Sequence, residues 1–118
     1  MAKRGRGARI KGAAFERKIA EELTALTEFS WKRGLGQTRR GGAEVPDVHC
    51  DDLKHIHIEV KRQKQCSIKA AMRQAVGDVE ESGKLPIVIT KDDRQPIYVT
   101  MRFEEWVDLF NAYLQPYK

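Results

Sequence analysis

The 118-residue chain has only two cysteines, Cys50 and Cys66. That scarcity excludes a disulfide framework and points to a reducing compartment. No Cys-X-X-Cys or His-X3-His spacing joins them to His55 and His57, so a structural zinc lacks its usual ligand pattern, and Cys50 reads as a buried strand residue. No apolar run approaches the length of a signal h-region or a membrane span, so the expectation is a cytoplasmic, intracellular protein with no membrane partner. Internal repeats are absent. Acid is missing from the first dozen residues, where Lys3, Arg4, Arg6, Arg9 and Lys11 all carry positive charge. The net charge of +5 is accounted for by that cluster alone and favours a polyanionic partner. With Gly5, Gly7 and Gly12 interleaved, residues 1–12 read as a flexible basic arm that orders on a phosphate backbone or, alternatively, as a solvated tail. Residues 13–118 then form one domain, small enough that a homodimer would add useful burial.

What is present reads as alternating helices and strands. From Ala13 to about Thr27 the spacing of Phe15, Ile19, Leu23 and Leu26 predicts a helix, with Glu16 beside its apolar stripe. Phe29–Arg33 reads as a strand, and residues 34–45 as a long polar loop containing Arg39, Arg40, Gly41 and Gly42. A hairpin follows from Pro46 to about Arg62. Ser67 is a fitting N-cap for a second helix with Ile68, Met72, Val76 and Val79 on its apolar face, Gln74 on its other side, and Gly83 at its C-terminal stop. Strands are expected at Pro86–Thr90 and Ile97–Met101 around the turn at residues 92–96. A last helix aligns Phe103, Trp106, Val107, Phe110 and Leu114, a face that either closes the core or forms a dimer contact. The order α-β-β-β-α-β-β-α implies an α/β domain around a mixed sheet.

The hairpin carries the chemistry. From His55 to Lys61 the residues alternate strictly, Ile56, Ile58 and Val60 on one face and His55, His57, Glu59 and Lys61 on the other, as in a half-buried strand with one polar face. Pairing Asp51 with His55 across a three-residue loop places His49 opposite His57 and Asp47 opposite Glu59. Opposed side chains have Cβ atoms about 5 Å apart, where two like charges destabilise a sheet and a divalent cation between them would reverse the sign. Singly, each residue has a plain reading: Glu16 as a solvated helix residue, Asp47 as a turn former after proline, Glu59 with Lys61 as a same-face ion pair. Together, Asp47, Glu59 and the carbonyl of Val60 offer hard oxygen ligands suited to Mg²⁺ or Mn²⁺. Lys61, one pleat along, can orient or deprotonate an attacking water, and Glu16 can hold a second metal or position a metal-bound water. Hydrolysis of a phosphodiester needs all of these parts. Arg39 and Arg40, in a glycine-bearing loop just before Asp47, are candidates for phosphate contact, while Trp31 and the histidines read as core and polar strand residues.

These motifs resemble the PD-(D/E)XK nuclease superfamily: Pro46-Asp47 matches its PD, and Glu59-Val60-Lys61 its (D/E)XK. Within it, Lys11-Gly12-Ala13-Ala14-Phe15-Glu16-Arg17 resembles the opening of the archaeal-type Holliday junction resolvases, and related small nucleases occur in phages. The resemblance covers residues 11–90 and implies a restriction-endonuclease-like core, metal binding by Asp47 and Glu59, water activation by Lys61, a site completed by Glu16, and DNA contacts from Arg17 and Gln74. It departs from the resolvases before Asp47, where Arg40-Gly41-Gly42-Ala43 replaces their usual serine in a longer loop. The implied activity is a Mg²⁺-dependent, structure-selective DNA endonuclease, acting as a homodimer on four-way junctions. A nuclease of nicked, flapped or other branched DNA, and a non-catalytic DNA-binding module, remain open alternatives.

Overall fold

A parallel pair of strands needs a crossover long enough to carry the chain back, and a helix between two strand segments supplies it. The computed structural model describes residues 6–34 and 45–118, without the side chains of residues 6–10. Its elements are α1 (Arg6–Thr27), β1 (Trp31–Arg33), β2 (Val48–Cys50), β3 (Ile56–Gln63), α2 (Ile68–Asp78), β4 (Leu85–Asp92), β5 (Ile97–Thr100) and α3 (Phe103–Leu114), followed by a 3-10 turn at Gln115–Tyr117. The strands form one five-stranded sheet in chain order, with β3 and β4 parallel across α2 and every other neighbouring pair antiparallel. A mixed sheet flanked by helices is the expected α/β arrangement.

Adjacent strand residues point to opposite faces, and β4 shows which helix covers which. Ile89 packs with Ile58, Val60, Val48 and Cys50 under Phe15, Ile19 and Ala20 of α1. Its neighbour Val88 packs under Ala71 and Ala75 of α2. Glu59 pairs in register with Val88 and therefore shares the α2 face. Trp31 and Cys50 are buried as expected. Pro86 lies in β4 outside the stretch that pairs with β5, Val88–Lys91, so its missing N–H breaks no bond to that neighbour.

Several expectations are corrected. The N-terminal helix starts at Arg6 rather than Ala13, so residues 6–12 are helical and the expected arm is shortened from its C-terminal side. Gly7 and Gly12 each cost about 1 kcal/mol against alanine. The strong helix formers around them and the buried anchors Phe15 and Ile19 carry the helix through that penalty. Leu26 is exposed, since the core side of α1 ends near Leu23. β1 begins at Trp31, two residues later than Phe29, because Glu28 turns the chain at φ 66° and the Thr24 hydroxyl then accepts the Trp31 N–H at 2.9 Å. α2 buries Ala71 and Ala75, and Val79 just past its end, whereas Ile68 is exposed and Met72 and Val76 are only half-buried, as small residues let the helix approach the sheet closely. Ser67 caps it as expected, accepting the Ala70 N–H, but the helix ends at Asp78 with Val79 as its C-cap, so Gly83, at φ 71°, turns the chain beyond the helix instead of stopping it. β3 is not half-buried, since α2 covers its polar face and His57 and Glu59 are both buried. Of the two uses left open for the apolar face of α3, closing the core is not the one seen, since the helix buries none of its residues.

Candidate active site

Asp47 sits where β2 and β3 part. Val48 faces Ile58, the register in which Asp47 lies opposite Glu59. The Asp47 N–H donates to the Ile58 carbonyl at 2.9 Å. Its carboxylate then takes the place of a ladder partner, with Oδ2 accepting the Val60 N–H at 2.8 Å. On the other side, the Gly34 N–H donates to the Asp47 carbonyl at 2.7 Å. A Cβ on Gly34 would lie 2.0 Å from the Pro46 carbonyl oxygen, so only glycine allows this approach. Backbone contacts from two directions thus fix the aspartate.

The surroundings of Asp47 are electrostatically unbalanced. Burial, with the negative charges of Glu59 and then Glu16, pushes its carboxyl up from 3.8 to about 7, against the opposing effects of the Val60 N–H and Lys61. An aspartate whose proton affinity is raised by burial and by neighbouring negative charge fits a divalent cation, because the cation removes the repulsion that the proton otherwise relieves. The donor set is all oxygen, as Mg²⁺ and Mn²⁺ favour.

Each carboxylate around Asp47 has its own anchor. Glu16 accepts from Arg33 Nε at 2.7 Å, in a pair that is mostly buried. Glu59 is 4% exposed, and its Oε2 lies 3.0 Å from His57 Nε2, which is also 3.6 Å from Asp78 Oδ2. Ligand atoms of His57, Glu59 and Asp78 all fall within 4.8 Å of one another. Lys61 is half-buried and makes no side-chain ion pair with another described residue. Its positive charge acts on the Asp47 carboxyl, favouring the ionised form.

Glu16, Glu59 and Lys61 thus all lie near enough to act on the Asp47 carboxyl. The outlying candidates are scattered. Arg17 is exposed on α1 and Gln74 on α2, while Lys11 is paired with Asp93 at 3.2 Å. Arg4, Arg39 and Arg40 lie outside the described residues, as do the side chains of Arg6 and Arg9. Sequence reasoning missed Arg33, Asp78 and the burial of His57. One signal pointed to Arg33, which is two residues from Trp31 on the same strand face; Asp78 had none, since its neighbour Ala75 is buried without marking an apolar stripe.

A family model described as "Phage putative PDDEXK endonuclease" matches residues 7–118. No curated protein matches the sequence. No helix among the described residues is long and apolar enough to cross a membrane.

Proposed function

From the premise that this chain belongs to the phage PDDEXK endonuclease family, we propose that it is a Mg²⁺- or Mn²⁺-dependent, structure-selective DNA endonuclease that resolves four-way junctions as a homodimer inside the cell. The observation that carries the metal-dependent reading is the Asp47 carboxyl, raised to about 7 beside Glu59 and Glu16. Asp47, Glu59 and the Val60 carbonyl would hold the cation, with Glu16 completing the site. When bound, it supplies charge neutralisation on the phosphate and acidification of a water. Lys61 orients or deprotonates the attacking water, or offsets phosphate charge. His57 and Asp78 position Glu59 from behind, and Arg33 does the same for Glu16.

The junction reading draws on the net charge of +5 and on the Gly12-to-Arg17 resemblance. The dimer draws on α3, whose rings run exposed along one side: Phe103 is 73%, Trp106 42% and Tyr113 66% accessible. Trp106 and Phe110 stack at 4.7 Å, and among the described residues only the following 3-10 turn packs substantially on this helix. A C2 dimer would place two sites on two symmetry-related strands. Glu104, Glu105 and Asp108 make the same helix acidic, which disfavours DNA as its occupant.

The test is incubation with Mg²⁺ and matched four-way, three-way, flap and linear duplex DNA, followed by mapping of the cuts. Paired symmetric nicks on the four-way junction are expected. Equal cutting of flaps or nicks would replace the junction assignment with the broader branched-DNA activity, and binding without cutting on any substrate would replace the enzyme with a binding module.

A further inference from the structure

Beyond Lys61, the end of β3 meets the turn between β4 and β5 and the first turns of α1 around a cleft of about 470 Å³. Lys11, Arg62, Lys64, Asp93 and Arg94 line it, four cations against one carboxylate. Of these, Lys11 alone was a sequence candidate for DNA contact.

The walls are pinned together. The Asp93 N–H donates to the Lys64 carbonyl at 3.3 Å, and the Cys66 N–H donates to Asp92 Oδ1 at 2.8 Å. Asp93 is paired with both Arg62 and Lys11, and these two cations hold its carboxyl below the usual range. Its charge is therefore already committed to two of the four cations. Lys64 and Arg94 are exposed. Arg94 adopts φ 63°, a left-handed conformation that costs a non-glycine residue about 1 kcal/mol or more. A glycine would remove that strain.

We propose that this cleft binds the DNA backbone, with Lys64 and Arg94 each contacting a phosphate that flanks the one cut at Asp47 and Glu59. Lys64 is three residues past Lys61 along the chain, about 10 Å if extended, a span that reaches a phosphate one or two nucleotides from the reacting one. Arg62 and Lys11, oriented by Asp93, add positive potential at the back. Only the position relative to the scissile phosphate rests on the nuclease reading; phosphate binding in the cleft does not.

The test is fluorescence anisotropy with a labelled four-way junction and a labelled duplex in EDTA, titrated between 50 and 200 mM KCl. The variant is Lys64→Ala/Arg94→Gly, and Lys32→Ala/Lys118→Ala is the charge-matched control on other surfaces. Losing two phosphate contacts should make the slope of log affinity against log salt shallower by roughly 1.5–2 units on both DNAs. The control should keep the wild-type slope. The thermal midpoint of the cleft variant should hold or rise, because Arg94→Gly relieves backbone strain, so weaker binding could not be blamed on unfolding. A slope equal to wild type, or no DNA binding by the wild-type protein, would overturn the proposal. Cleavage by the wild-type protein in Mg²⁺ is measured alongside: a shallower slope without cleavage keeps the cleft and sinks the nuclease, and an unchanged slope in a cleaving protein sinks the cleft alone.

Discussion

Asp47 is where burial and charge conflict most, and the conflict has a pH signature. Its folded pKa, about 7, lies above the 3.8 of the unfolded chain, so the folded state holds the proton more tightly. The stability this contributes is fully present below pH 3.8 and is lost as pH rises through about 7. In EDTA, the Asp47 contribution to the thermal midpoint of the wild-type protein should therefore fall between about pH 4 and pH 7 and level off above, and Asp47→Asn should remove that fall. Saturating Mg²⁺ should restore the wild-type midpoint at the alkaline end, since a bound cation replaces the proton. A second residue-scale expectation concerns His57, whose imidazole lies between Glu59 and Asp78. His57→Ala empties a fully buried site and removes the hydrogen-bond partner of Glu59, and should cost about 3 kcal/mol by denaturant unfolding. The Asp47 and Glu-X-Lys motif was legible in the sequence because its residues are close along the chain and in fixed strand phase. Arg33 and Asp78 were not, because their partners lie 17 residues away on α1 and across the α2–sheet interface.

At the scale of elements, the hairpin register was readable in advance. Val48 opposite Ile58 follows from strict alternation on both strands and the short turn between them. What alternation could not show was the cover on the polar face, because a strand with one polar side reads as solvated until a helix is known to lie on it. Here α2 does so through Ala71 and Ala75, small enough for close packing and too weakly apolar to mark a stripe. The approach of β1 to the Asp47 segment was also hidden, since one glycine after an ordinary strand carries no pattern. Gly34→Ala tests it. Its new Cβ would meet the Pro46 carbonyl oxygen, and the expected result is a displaced Asp47, seen as a loss of metal affinity by Mn²⁺ titration together with a lower thermal midpoint. Unchanged metal affinity in a folded variant would mean that Gly34 does not position the aspartate.

For the whole molecule, the amphipathic pattern of α3 was plain, whereas its partner was undetermined, since an apolar stripe looks the same whether it faces its own sheet or a second copy. In the structure its rings remain uncovered, and Tyr98 and Val99 on the edge strand β5 are exposed as well. Sedimentation at micromolar concentration should give about twice the monomer mass of 13.5 kDa, and Trp106→Glu/Phe110→Glu should return it to that mass. Metal-dependent cleavage centred on Asp47 is the property on which every other active-site assignment depends. Single-turnover cleavage of a four-way junction by excess protein measures this most directly, using wild type, Asp47→Asn and Lys61→Ala in Mg²⁺ and in EDTA. The account predicts cutting by wild type in Mg²⁺ alone, none by Asp47→Asn at unchanged or tighter DNA binding, and a rate lower by about a hundredfold or more for Lys61→Ala. Cutting that persists in EDTA, or near wild-type cutting by Asp47→Asn, would contradict it.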